Sequence, residues 1–347
     1  MATIMPDVGV PRAHTATDRA WPRDGQNRRV YAALDLGTNN CRLLVARPAR
    51  GGFYVVDAFS RVVKLGEGLL QSDRISDEAQ DRAIEALRIC ADKIRRREVH
   101  LTRNVATEAC RRASNGLAFV ERVYEETGIA LDVISPAEEA RLAVLGCQSL
   151  LAHGGQSLVF DIGGGSTELI LVDMDERGHA HIREWISVPW GVVSLAETEA
   201  NDLPDRAARE AAYDRMRARV SDLLVGFAAR IALLTTRIPD LLGTSGTVTT
   251  LASLHLGLPT YDRRQVDGCF VPGAAMREIS ARLAGQSPVE RAREPSIGHE
   301  RAELVVAGCA ILDAILAIWP ADNLRVADRG IREGILRTLM NRDGHWV

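Results

Sequence analysis

Two stretches of this 347-residue chain repeat one device: an apolar run that ends in Asp, an aliphatic residue and Gly. The first is Leu34-Asp35-Leu36-Gly37-Thr38 and the second is Phe160-Asp161-Ile162-Gly163-Gly164. Each lies between two strand-like runs, 30–36 with 41–46 and 157–162 with 169–172, as a β-hairpin requires. A pattern that starts again in the second half implies two lobes of one design facing each other across a cleft. Length agrees, because 347 residues is more than one hydrophobic core ordinarily supports. The expected division is a first lobe over 29–138 and a second over 139–347. Residues 1–28 carry Pro, Arg, Asp and Gly without an apolar stretch, and read as a disordered tail rather than a signal peptide.

Elements of both kinds surround the hairpins. Ser76 opens a helix whose Ala79, Ala83, Ile84, Leu87, Cys90, Ala91 and Ile94 recur at helical spacing. Arg95, Arg96 and Arg97 end it, which suits the negative end of a helix dipole. Segments 53–59, 104–107 and 131–135 read as strands, and Pro136 opens a helix that runs to about Leu151. In the second half, amphipathic helices are expected over 203–236, 248–256, 272–283 and 301–318. A strand-to-glycine turn, Leu241-Leu242-Gly243-Thr244-Ser245-Gly246-Thr247, lies among them. A last strand over 323–327 precedes a terminal helix from residue 331 to about 345, which can pack back on the first lobe.

The turns themselves suggest phosphate chemistry. Glycine lets backbone N–H groups approach an anion that a Cβ would hold away. Asp161 and Glu168 bracket Gly163-Gly164-Gly165-Ser166-Thr167, so one hairpin offers two carboxylates, amide donors and two hydroxyls. A structural hairpin needs only two turn residues, and three glycines followed by Ser-Thr-Glu exceed that need. A carboxylate just ahead of the glycines suits Mg²⁺, which takes oxygen ligands and shares phosphate oxygens. Asp161, Glu168 and, in the first hairpin, Asp35 are the candidates. Gly37, Thr38 and Asn39 form the matching first turn, although Asx-Gly turns are also common in purely structural hairpins. Gly246 begins a helix and could present amides to an anion, or the turn could simply be a cap made by Thr244 or Ser245. A G-x-x-x-x-G-K-[ST] loop is absent, which excludes a P-loop mechanism, and no G-x-G-x-x-G strand-to-helix turn is present.

Taken with Glu138-Glu139-Ala140-Arg141, these segments resemble the exopolyphosphatase and guanosine pentaphosphate phosphohydrolase (Ppx/GppA) family. The resemblance runs from Tyr31 to about Leu336, and Asp161 through Glu168 is its most specific part. It implies an α/β fold of two RNase H-like lobes, as in the actin-like ATPase superfamily of sugar kinases and heat-shock chaperones. It further implies Mg²⁺-dependent release of terminal phosphate from inorganic polyphosphate, or conversion of pppGpp to ppGpp. By the same resemblance Glu139 activates the attacking water, and Asp161 and Glu168 are metal-associated. Gly163, Gly164, Gly165 and Ser166 hold phosphate, and Arg111 grips it. A homodimer is the family tendency. Longer members continue into an all-helical domain with an HD-type core; the chain ends at Val347 and so resembles the short, two-lobed form.

Composition sets the remaining bounds. With 43 basic and 46 acidic residues the net charge is only -3, so attraction for a polyanion must be local. Arg263, Arg264, Arg291, Arg293 and Arg301 are candidates for a basic track, each also readable as an ordinary surface charge. Six cysteines form no CxxC pair, and they read as reduced and mostly buried in a cytoplasmic protein. His179 and His181 fall in a polar stretch between strand-like runs, where a surface hairpin is expected rather than a metal site. Neither a nucleic acid nor a membrane is an expected partner. Two other functions fit the same turns: a small-molecule kinase of the same superfamily, and a non-catalytic binder of a phosphorylated signal.

Overall fold

Both Asp-Gly turns close hairpins that begin a sheet. In the computed structural model, which describes residues 29–199 and 203–344, β1 (Tyr31–Leu36), β2 (Asn40–Ala49) and β3 (Gly52–Val62) form an antiparallel meander. The helices α1 (Leu69–Ser72) and α2 (Asp77–Arg96) lead to β4 (Leu101–Ala106), which adds in parallel beside β1. After α3 (Glu108–Arg112) and α4 (Gly116–Thr127), a short β5 (Asp132–Val133) completes the order β3-β2-β1-β4-β5. Ser76 caps α2 by accepting from the Ala79 amide at 3.2 Å, with Asp77 and Glu78 in its first turn and three basic residues in its last. The expected tail over residues 1–28 lies outside the described residues.

The second sheet repeats the first. β6 (Gln156–Ile162), β7 (Thr167–Met174) and β8 (Ala180–Val188) are again an antiparallel meander, reached through α5 (Pro136–Cys147). The helices α6 (Val192–Thr198) and α7 (Arg206–Ala232) precede β9 (Asp240–Thr244), which is parallel to β6. Then follow α8 (Gly246–His255), α9 (Arg263–Val266), β10 (Phe270–Pro272), α10 (Gly273–Gly285), α11 (Pro288–Ala292), α12 (Gly298–Ala302), α13 (Val305–Ile318), β11 (Asn323–Ala327) and α14 (Ile331–Arg342). The order is β10-β11-β9-β6-β7-β8. With β10 set aside, β8-β7-β6-β9-β11 occupies the places of β3-β2-β1-β4-β5. The fold is therefore α/β with two lobes of one design and a cleft between them.

One face of each sheet carries its own core. In the first lobe Leu34, Leu36, Leu43 and Val45 pack against Ala83, Ile84 and Leu87 of α2. In the second, Leu158, Phe160 and Leu171 pack against Phe227 of α7 and Val306, Ile311 and Ile315 of α13. The remaining faces converge on α5 and α14. Ile335, Leu336 and Met340 of α14 cover Tyr31, Ala33 and Leu44 of the first sheet, while Val144 and Cys147 of α5 meet Val159 and Ile170 of the second. These two helices approach so closely that a Cβ on Gly334 would lie 2.1 Å from the Leu142 carbonyl oxygen, and one on Gly146 would lie 2.0 Å from that of Gly330. Glycine is required at both crossings.

Some expectations change in detail. The helix expected over 301–318 is two helices, and α4, whose buried Gly116, Phe119 and Val123 recur at helical spacing, was not among the expected helices. His179 and His181 stand exposed at the β7–β8 turn, each 3.2 Å from Asp175 Oδ2. All six cysteines are free, five of them buried. No helix among the described residues is long and apolar enough to cross a membrane.

Candidate active site

The two hairpins put their aspartates in equivalent places. On β1 and β2, Asp35 lies opposite Arg42; on β6 and β7, Asp161 lies opposite Glu168. Each turn is closed by the same bond, from the Gly37 amide to the Asn40 carbonyl and from the Gly163 amide to the Ser166 carbonyl, both at 2.9 Å. The turns meet across the cleft. A Cβ on Gly164 would stand 2.9 Å from Thr38 Cβ, and one on Gly165 would stand 2.7 Å from Thr38 Oγ1. The glycines thus have a reason the sequence did not reveal: the opposite lobe leaves no room for a side chain.

A cavity of about 160 Å³ opens beside this contact. Its walls bring together Glu139, Asp35, Asp161 and Glu168 with Gly37, Thr38 and Asn39 of the first turn. Gly163, Gly164, Gly165 and Ser166 of the second turn line it too, as does Gly246 of the third. A Cβ at Gly246 would meet nothing within 4 Å, so this glycine faces open space. The neighbouring Ser245 adopts φ 126°, a conformation that costs strain for a residue with a side chain and that concentrates at functional sites. Its hydroxyl caps α8 by accepting from the Val248 amide at 3.4 Å. Capping and a cavity-facing glycine therefore coexist in one turn.

Glu139 owes its position to the start of α5. Ser135 accepts from the Glu138 amide at 3.2 Å and Pro136 occupies the first turn, so both glutamates fall at the helix N-terminus. Glu138 turns outward to Arg141 and Arg103, and these ion pairs hold its carboxyl down at about 2. Glu139 turns inward and is only 8% exposed. Arg111 Nη1 donates to Glu139 Oε2 at 2.8 Å. Burial first, and then the charge of Glu168, push the Glu139 carboxyl well above the usual range, against the pull of Arg111.

Two expected phosphate contacts are used otherwise. Arg111 is absent from the cavity wall. Its Nη1 also donates to the Ile134 carbonyl at 2.7 Å, and its Nε and Nη2 donate to Glu108 Oε2 at 3.3 and 2.9 Å. With every nitrogen engaged, it holds two glutamates rather than facing the cavity. Thr167 is buried and donates its hydroxyl to the Trp190 carbonyl at 2.7 Å, away from the cavity.

Other residues stand where those two were expected. Arg42 lines the cavity and makes no ion pair among the described residues. Arg301 lines it as well and donates to Thr250 Oγ1 at 3.1 Å. Of the other arginines considered for a basic track, Arg291 is fully buried in the second lobe and Arg263 pairs with Glu333 at 3.0 Å. Arg42 was hidden in an apolar strand. Counting outward from the Gly37–Asn40 closure places it opposite Asp35, so the signal was there.

The carboxylates fit a cation. Asp161 is raised to about 6 by burial and then by Asp35, and Glu168 to about 7 by burial and then by Asp161. Ser166 and Ser187 donate to one Glu168 oxygen at 2.7 and 2.8 Å. Asp35 Oδ1 and Asn39 Oδ1 are buried without a hydrogen-bond partner. Such orphaned acceptors beside a second buried aspartate invite a positive charge. Among the described residues no three His, Cys, Asp or Glu side chains form a complete metal cage. A cation shared with substrate phosphates and water needs only one or two protein carboxylates and no such cage.

Comparison with known proteins follows the same lines. The model of the Ppx/GppA phosphatase family matches residues 44–343. Exopolyphosphatase 2 of Mycobacterium tuberculosis is 30% identical over 323 residues, covering 89% of this chain and 98% of that protein. The crystal structure of the Aquifex aeolicus Ppx/GppA family member aligns with a TM-score of 0.74 at 29% identity, over 91% of this chain and 99% of its own. An exopolyphosphatase from Cytophaga hutchinsonii shares the fold with a TM-score of 0.80 at 24% identity, over 90% of this chain and 98% of its own.

Proposed function

We propose, for a chain that belongs to the Ppx/GppA phosphatase family, that it is an exopolyphosphatase which removes terminal phosphate from inorganic polyphosphate and also takes pppGpp to ppGpp. The observation that carries this reading is Glu139, a buried carboxylate on the cavity wall, fixed by Arg111 and facing two glycine turns from opposite lobes.

The reaction transfers a terminal phosphoryl group to water. Such transition states are loose, and the protein's task is to position the water and neutralise charge on the departing oxygens. Glu139 takes a proton from the water as its oxygen bonds to phosphorus. The bond from phosphorus to the bridging oxygen breaks, and the shortened chain leaves as the anion. Arg42 and Arg301 lie on the same wall to offset the charge on the phosphoryl oxygens. The amides of Thr38, Asn39, Gly164 and Gly165 have no backbone acceptor among the described residues, and they are free to donate to phosphate. One or two of the carboxylates Asp161, Asp35 and Glu168, together with substrate phosphate and water, would hold Mg²⁺, which when bound supplies positive charge at the phosphate oxygens. We take the protein to act in the cytoplasm as a homodimer with its lobes parting within α5, on the strength of the family resemblance.

The test is phosphate release from long-chain polyphosphate and from pppGpp, side by side, with Mg²⁺ and with EDTA. Mg²⁺-dependent release without any acceptor is expected, and the ratio of rates ranks the substrates. No release, with ATP consumed only when an acceptor is added, would turn the site into that of a kinase. Tight binding without turnover would make it a sensor.

A further inference from the structure

The two glycine turns are each tied to a neighbouring segment, and one hydrogen bond joins those segments across the cleft. In the second lobe the Val192 and Val193 amides at the start of α6 donate to the Gly163 and Gly164 carbonyls at 2.9 and 2.8 Å. In the first lobe the Val63 and Lys64 amides donate to the Asn39 carbonyl at 2.9 and 3.1 Å, and the Gly66 amide donates to the Thr38 carbonyl at 2.9 Å. The far end of α6 carries Glu197, whose Oε1 accepts from the Gly68 amide at 2.8 Å. A continuous path therefore runs from one turn, through α6 and Glu197, through residues 66–68, to the other turn.

The rest of the Glu197 environment does not read as a bond built for stability. Its second oxygen, Oε2, is buried and has no hydrogen-bond partner. A buried carboxylate oxygen left unpaired is costly, so the contact is held near balance. Gly68 can present its amide there because it adopts φ 69°, the left-handed region that favours glycine. Glu197 from one lobe and Gly66 and Leu69 from the other border a small cavity of about 20 Å³, on which Thr38 and Gly165 also stand. Glu197 thus lies behind the contact between the turns, outside the cavity that holds Glu139.

We propose that Glu197 is a positioning residue that latches the two lobes, setting the separation of the two glycine turns through its bond to the Gly68 amide. A bond of this kind favours the closed arrangement, in which Thr38 meets Gly164 and Gly165, and yields when substrate must enter or product leave. Its loss shifts the free protein toward an open state, and the apparent affinity for substrate falls by the fraction that remains closed. Chemistry in the closed complex is unchanged, because Glu197 touches none of the reacting groups. The kinetic consequence rests on the phosphohydrolase reading above; the structural one does not.

The experiment compares the full-length wild type, Glu197→Ala and Glu197→Gln, with polyphosphate as substrate and small-angle X-ray scattering on the free proteins. The alanine variant removes the acceptor, whereas the glutamine variant retains a carbonyl oxygen for the Gly68 amide. Glu197→Ala is expected to raise KM about tenfold, the worth of one charge-assisted hydrogen bond, with kcat within about twofold. Its radius of gyration should exceed that of the wild type, and Glu197→Gln, which keeps a neutral acceptor for the Gly68 amide, should lie nearer the wild type than Glu197→Ala in both measurements. Unchanged KM and radius in Glu197→Ala would overturn the latch. So would a fall in kcat with KM unchanged, or impairment of Glu197→Gln equal to that of Glu197→Ala. If the wild type itself released no phosphate, the functional reading would fail while the scattering still decided the latch: expansion of Glu197→Ala beyond that of Glu197→Gln supports it, and equal radii overturn it.

Discussion

Arg111 and Glu139 come from different elements, α3 and the start of α5, yet Arg111 Nη1 lies 2.8 Å from Glu139 Oε2 with both side chains largely buried. This pair fixes a carboxylate on the cavity wall, and the Arg111 charge opposes the upward push of burial on it without cancelling it. Its consequences are open to direct measurement.

Replacing Glu139 by alanine or glutamine should lower kcat by about 10²–10⁴, the range for a positioned general base. Both variants should stay folded, with a smaller loss of thermal stability than Arg111→Ala, because Arg111 keeps Glu108 and the Ile134 carbonyl as partners. Circular dichroism melts beside steady-state rates check both halves.

Acid should inhibit through the same group. A base works only when ionised, and the Glu139 carboxyl is raised, so kcat should climb as pH rises through its folded value. Stability should move the other way. A carboxyl raised on folding contributes stability that is fully present below its unfolded value and is lost as pH rises through its folded value. Glu139→Gln should remove that loss, which urea denaturation across a pH series would detect.

Arg111→Ala should leave Glu139 and Glu108 buried without their partner, costing about 3–5 kcal/mol of stability. The remaining folded enzyme should show its acid limb at higher pH than the wild type. An unaltered limb would mean that Arg111 does not govern Glu139.

Two glycines should separate contact from catalysis. Gly164→Ala would set a Cβ against Thr38 and the Asn39 amide, propping the lobes apart and reducing kcat/KM. Gly246→Ala meets nothing within 4 Å, and its stability should stay within about 0.5 kcal/mol of the wild type. Steady-state rates together with differential scanning calorimetry of the two variants give the contrast.

Much of this was readable in the chain. The repeated Asp-Gly turns foretold the duplicated sheets, because a hairpin turn fixes the register on both sides of it. The count from Gly37–Asn40 also puts Arg42 opposite Asp35, but an arginine inside an apolar run carries no mark of the cavity it faces. Arg111 was marked by the family resemblance as a phosphate contact, and its bond to Glu139 was not readable. That it turns to Glu139 depends on residues 28 positions apart meeting in the fold, which no local pattern encodes. The glycines at 164 and 165 were legible as unusual, but the opposite lobe that requires them lies more than a hundred residues away in the chain.

The most direct test of the central claim is phosphate release from polyphosphate by the wild type and by Glu139→Gln at equal folded concentration, with Mg²⁺ present. Steady release is expected from the wild type and at least about a hundredfold less from the variant. Equal rates would contradict it and remove Glu139 from the chemistry.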